Sequence, residues 1–169
     1  MNSLAAVPLG VQVPRYRVRP PAVSSAGQDA IDIAASCGLI LDPWQRLFLE
    51  DALGERADGK WAAFEAALIV ARQNGKGSIL EALELAALFL WQVEEVIHSA
   101  HEFRTSKKAF LRLLALVNRN RALKSRVKQV YLSKGEEGIE LYAPKGRDYG
   151  PRIRFATRTG GGGRGLTGD

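Results

Sequence analysis

Cysteine, histidine and long hydrophobic runs are scarce in this sequence, and each shortage excludes a class of protein. The single cysteine, Cys37, rules out an intrachain disulfide and any zinc site of the usual spacing, so a reducing compartment is the natural setting. His98 and His101, with no carboxylate or cysteine cluster around them, make a poor metal site. No basic start followed by an apolar core opens the chain, so no secretory signal is expected. The longest apolar segment, 79–91, contains Glu81 and Glu84 and is too short to span a bilayer. Together these absences predict a soluble intracellular protein. Acidic residues are also missing from one stretch: between Arg104 and Lys134 the charged side chains are Lys107, Lys108, Arg112, Arg119, Arg121, Lys124, Arg126 and Lys128, all basic. That stretch is either a solvated helix face or a surface for a phosphate backbone.

What is present is ordinary globular material. The 169 residues are 46% hydrophobic and 25% charged, enough for one domain with a core. A formal net charge of +6 favours an acidic partner. Pro8, Pro14, Pro20 and Pro21, with Arg15, Arg17 and Arg19 among them, block regular structure over 1–26 and predict an extended arm. A short amphipathic helix is expected over 28–37, stopped by Gly38. Asp42 as N-cap and Pro43 at the first helical position then open a second helix. Its expected buried stripe is Trp44, Leu47, Phe48, Ala52 and Leu53, with Gln45 off that stripe.

The chain is organised around a strand, a turn and a helix in its middle. A first strand is expected over about 63–70, then a polar turn, Arg72-Gln73-Asn74-Gly75-Lys76-Gly77-Ser78, then an apolar helix over about 76–91. In a phosphate-binding loop the N–H groups of the turn and of the first helical turn point at phosphate oxygens, and a lysine adds a mobile positive charge. Gly75 and Lys76 suit those roles. The match to G-x-x-x-x-G-K-[ST] is imperfect, because Val70 stands at the first glycine position and Gly77 follows the lysine, with Ser78 one residue late. An ordinary surface turn with an ordinary lysine is the competing reading. A second strand over 95–99 and a basic helix over about 103–118 come next, the helix with Phe110, Leu113, Leu114 and Val117 inward. The pattern then changes to period two, predicting strands over 127–132, 139–143 and 152–157. In the last, Ile153, Phe155 and Thr157 share one face and Arg152, Arg154 and Arg158 the other, read as a solvated face rather than a DNA track.

Taken in order, Pro43-Trp44-Gln45, the Ala71–Gly77 turn, His98-Ser99-Ala100-His101-Glu102-Phe103-Arg104-Thr105-Ser106 and Gly163-Arg164-Gly165-Leu166-Thr167-Gly168-Asp169 resemble the ATPase region of the large terminase subunit of tailed bacteriophages. The resemblance runs over about 39–169 and more loosely into the Pro-rich leader. It implies an α/β fold of P-loop NTPase type (ASCE/RecA-like), a three-layer sandwich on a mostly parallel sheet, with 1–26 as the arm and 27–169 as a partial ATPase domain. It implies ATP and Mg²⁺ as cofactors. Trp44 and Gln45 match an adenine-recognition element, and Arg72, Gln73, Asn74, Gly75, Lys76, Gly77 and Ser78 match a departed Walker A loop. Ser78 becomes the stand-in ligand for nucleotide-bound Mg²⁺, and His98 and His101 become structural or coupling residues.

Catalytic roles implied by the same resemblance fall on Lys76, Arg72 and Arg164, the last either as an arginine finger or as an ordinary loop arginine. The implied partners are double-stranded DNA, a small terminase subunit, a portal or procapsid and further copies in a ring, in the cytoplasm of a bacterial host and with no membrane. In that family the pattern continues after Gly-Asp with a strand ending in Asp-Glu-Ala and later a nuclease domain. This sequence ends at Asp169, so the expected sheet is incomplete at its C-terminal side and hydrolysis by this chain alone is expected to be negligible. The leading reading is the ATPase segment of a viral DNA-packaging motor that drives double-stranded DNA into a procapsid. The alternatives are a non-enzymatic prophage remnant or DNA-binding fragment, and another P-loop ATPase such as a helicase.

Overall fold

The computed structural model describes residues 10–158. The part of the arm that falls within them runs extended beside the second helix and ends in β1 (Ser24–Ser25), which pairs antiparallel with β2 (Gly54–Glu55). Arg17 donates two hydrogen bonds to the Asp51 carboxylate, and Arg19 a longer one. The Arg17 hydrogen bond holds the Asp51 carboxyl below the usual carboxylate range, against a smaller opposing effect of burial. Arg17 and Arg19 of the expected extended arm thus fasten it to the domain.

Helix α1 (Gly27–Ser36) and helix α2 (Pro43–Ala52) start and stop close to where capping residues predict. The backbone N–H of Asp42 donates to Gln45 Oε1 at 2.7 Å, one arm of a capping box. The inward face of α2 differs from the expected stripe. Gln45 and Leu49 are buried, with Leu53 just past the helix end, while Trp44, Leu47 and Phe48 are only half-buried. The helix must pack against α1 on one side and α3 (Lys76–Phe89) on the other, and the row i, i+4, i+8 from Gln45 faces both. Apolar periodicity alone pointed to the neighbouring row because Gln45 is polar.

The strand expected over 63–70 is absent. Beyond an isolated bridge between Glu55 and Trp61, residues 62–71 run as irregular chain with Phe64 and Ile69 fully exposed. A strand exists only where a neighbour completes its hydrogen-bond ladder, and among the described residues no strand lies beside this segment. Its alanines, Ala62, Ala63, Ala66 and Ala67, add little β preference of their own.

The remaining elements are β3 (Glu95–Ala100), α4 (Phe103–Arg119), α5 (Arg121–Lys124), β4 (Val127–Tyr131), β5 (Gly138–Leu141) and β6 (Arg152–Thr157). They form a four-stranded sheet in the order β3-β6-β5-β4. The sheet is mixed, not mostly parallel: β3 and β6 run parallel, with Val96 opposite Ile153 and His98 opposite Phe155, and both other pairs are antiparallel. Connections without helices link β4 to β5 and β5 to β6 and return the chain antiparallel; β6 comes to lie parallel to β3 only after the chain has passed through α4, α5, β4 and β5.

Side-chain alternation divides the sheet cleanly. Val96, His98, Ile139, Ile153 and Phe155 face α3 and α4, and Phe155 meets Phe110 of α4 edge to face at 5.5 Å. The opposite face carries Glu95 ion-paired to both Arg152 and Arg154, and Glu140 paired to Lys128. Arg158 donates to Ser99 Oγ on that face. The arginine row of the last strand is therefore a paired, charged face. Among the described residues the layers are helices on one side of a sheet, two layers in place of the expected three. No helix among them is long and apolar enough to cross a membrane.

Candidate functional site

The polar turn between the irregular segment and α3 has the backbone of an anion cradle. Gln73 and Gly75 both take positive φ, 63° and 78°, on either side of Asn74. A non-glycine residue in that region is strained and is commonest where a loop is shaped for function. The N–H groups of Gly75, Lys76 and Gly77 find no acceptor among the described residues, as expected at a helix start. Lys76 Nζ curls back to the carbonyl oxygens of Val70 at 2.7 Å and Ala71 at 2.8 Å. An ammonium has three donors, so one is left for a ligand.

Gln45 is built into this loop from below. It is 4% exposed, and while Oε1 caps α2 its Nε2 donates to the carbonyl of Gly75 at 2.9 Å. A Cβ on residue 75 would lie 2.7 Å from that Nε2, so glycine is required there both for its positive φ and for the approach of the amide. Gln45 thus ties the start of one helix to the phosphate-loop candidate at the start of another. Trp44, half-buried beside it, lines a cleft of about 1020 Å³ together with Phe48, Tyr16, Leu68 and Asn74. This cleft opens beside the loop and is roomy enough for a nucleoside.

The helix behind the loop carries charge where an apolar pattern predicted none of consequence. Glu81 and Glu84 are buried in α3. Arg112 of α4 donates from Nε to Glu81 Oε1 at 2.7 Å, and its guanidinium reaches forward to Gly77, where an added Cβ would lie 3.2 Å from Nη1. Sequence reasoning missed Arg112. The signal available was a pair of glutamates one turn apart inside an otherwise apolar helix, which demands partners. The donors at the loop do not fit a magnesium ion held in the usual way. Gly77 brings no side-chain oxygen, and the Ser78 side chain leaves the helix about 100° further round the axis. Among the described residues no group of three or more His, Cys, Asp or Glu is placed to hold a metal ion.

Glu84 shares a hydrogen bond with His98 Nδ1, and the His98 ring stacks on Phe155 at 4.9 Å. His98 is therefore a structural link from α3 to β3, while His101 is exposed. Burial raises the Glu84 carboxyl above its ordinary 4.5, with the His98 contact opposing, and burial raises Glu81 likewise, with Arg112 opposing. A carboxyl whose folded value lies above its unfolded one holds its proton more tightly in the folded chain. Its favourable contribution is complete below pH 4.5 and is lost as pH rises through the raised value. Glu84→Gln keeps a hydrogen bond for His98 and removes the buried charge. The variant is expected to melt higher than the parent at pH 8, with the gap closing towards pH 4.5; a lower melting point at pH 8 would contradict the assignment.

Arg72, Gln73 and Asn74 are exposed, and the Arg72 side chain has no hydrogen-bond or ion-pair partner among the described residues. Arg164 lies outside them. The structure thus brings Trp44, Gln45 and the 72–78 turn into one place.

The chain is similar in fold to the crystal structure of the HK97 bacteriophage large terminase, with a TM-score of 0.66 and 21% sequence identity. No protein-family model matches the chain, and no curated protein matches it. The likeness takes in 85% of this chain and 30% of the terminase chain. At that identity it is a likeness of fold: the described architecture is terminase-like and spans less than a third of a large terminase.

Proposed function

We propose that this chain is the nucleotide-binding segment of a DNA-packaging motor of the terminase kind, part of a machine that couples ATP hydrolysis to the movement of double-stranded DNA into a procapsid. The observation that carries the reading is the loop itself: the N–H groups of Gly75, Lys76 and Gly77, at the head of a long buried helix, have no acceptor among the described residues, and the Lys76 ammonium is held at the loop by the carbonyls of Val70 and Ala71. ATP is the ligand. Its phosphates lie on those N–H groups with Lys76 above them, and its base enters the cleft beside Trp44. Gln45 holds the loop to α2. Arg72, exposed and without a partner among the described residues, takes the terminal phosphate, and Arg164 is assigned the same role. In the complete motor the partners are double-stranded DNA, a small terminase subunit, a portal and further copies in a ring.

Calorimetric titration with ATP, on this chain and on Lys76→Ala, tests the reading, with turnover recorded on the same samples. Expected are binding by the parent, a loss of at least about tenfold in the variant, and little turnover in either. No binding by the parent, or equal binding by the variant, would overturn it.

A second reading has its own support. Arg104, Lys107, Lys108, Arg119, Arg121 and Lys124 are exposed on α4 and α5 without ion-pair partners among the described residues. A fragment that only binds DNA would use them, and its affinity would fall steeply with salt and ignore nucleotide.

A further inference from the structure

We propose that Arg112 is the resident counter-cation of the loop, so that this chain binds nucleotide phosphates with little dependence on magnesium. The inference rests on the phosphate-loop reading and concerns how that loop neutralises its ligand. A polyphosphate seated on N–H groups needs more positive charge than one lysine supplies, and the usual source is a metal ion held by a hydroxyl directly after the lysine. Here that position is Gly77. The missing side chain is not replaced by empty space: the Arg112 guanidinium fills it, with Nη1 at 3.2 Å and both Cζ and Nη2 at 3.6 Å from where the Cβ would be.

The arrangement is held in place. Gly77 and Glu81 are i and i+4 on α3 and share one face. Arg112 crosses from α4 and lies along that face, bound through Nε to the buried Glu81, which leaves its Nη end at the loop. The side chain is 58% exposed, so an anion arriving at the loop can reach it. A guanidinium is charged at every working pH and offers a planar fork that matches phosphate oxygens. A purely structural arginine would need only the Glu81 contact, whereas this guanidinium extends past it to the loop.

The test measures ADP and ATP affinity by calorimetry, in magnesium and in EDTA, for the parent, Lys76→Ala, Arg112→Ala, Arg112→Lys and Gly77→Ser, with circular dichroism to check folding. For the parent the two conditions are expected to agree within about threefold. Arg112→Ala is expected to lose about tenfold or more in EDTA. Arg112→Lys, which keeps a cation beside Glu81, should fold as the parent does and lose an intermediate amount, and it decides the matter if the alanine variant does not fold. Gly77→Ser displaces the guanidinium and supplies a hydroxyl, so its binding should become strongly magnesium-dependent. If the parent binds through Lys76 but only with magnesium, or if the Arg112 variants bind in EDTA as the parent does, this inference falls and the phosphate loop stands. If the parent does not bind, or binds without need of Lys76, both fall.

Discussion

Phe155→Ala is expected to cost about 3–5 kcal/mol of unfolding free energy, enough to leave little of a typical domain's stability. The ring is 2% exposed and sits where three elements meet. It stacks against His98 of β3, takes the edge of Phe110 from α4, and belongs to β6, the strand that joins the parallel and antiparallel parts of the sheet. Alanine would leave a cavity at that junction and take the packing surface from the His98 ring that links to Glu84. The cost is read from the shift of the urea midpoint at constant slope, with Phe155→Leu as the variant that keeps most of the volume. A loss below about 1 kcal/mol would mean that β3, β6 and α4 do not meet at this ring.

The second large effect falls on a glycine. A Cβ on residue 150 would lie 1.9 Å from the carbonyl oxygen of Leu141 and within 2.9 Å of two further backbone carbons. Backbone has no alternative rotamer, so Gly150→Ala must push apart the chain entering β6 and the chain leaving β5, where Leu141 N donates to Pro151 O at 2.9 Å. The expected cost is at or above the upper end of the usual overpacking range, about 3 kcal/mol. Gly146, in the same connection, has nothing within 4 Å of its missing Cβ and a φ of +88°. Gly146→Ala should therefore cost only the left-handed strain, about 1–2 kcal/mol. Equal costs at the two positions would show that conformational strain, not close approach, governs this turn.

The site and the core are connected through α3. Its first residues form the loop, its middle carries Glu81 and Glu84, and those two carboxylates reach Arg112 on α4 and His98 on β3.

Most elements were legible as patterns. The Asp42-Pro43 start, the apolar run of α3, the i, i+3, i+4 spacing in α4 and the alternation in β6 are local signals, because capping, helical burial and half-buried strands each impose a period on nearby residues. The loop was legible for the same reason: Gly75-Lys76 at a helix start is a short-range pattern. Two readings failed for a common cause. The 63–70 segment had the apolar character of a strand but no neighbour to pair with among the described residues, and the buried face of α2 ran through Gln45, whose burial depends on a carbonyl thirty residues away.

By itself, then, the sequence determined the placement of α1 to α4 and of β3 to β6, most of the inward residues of α4 and β6, and that a Gly-Lys turn heads the most buried helix. Tertiary structure alone decided that the sheet is mixed, that the arm is pinned through Asp51, that Gln45 braces the loop, and that Arg112 stands against Gly77. The division is physical. Periodicity and capping are satisfied within a few residues of chain, whereas strand partners, ion pairs and the filling of a missing side chain's space depend on groups that only folding brings together.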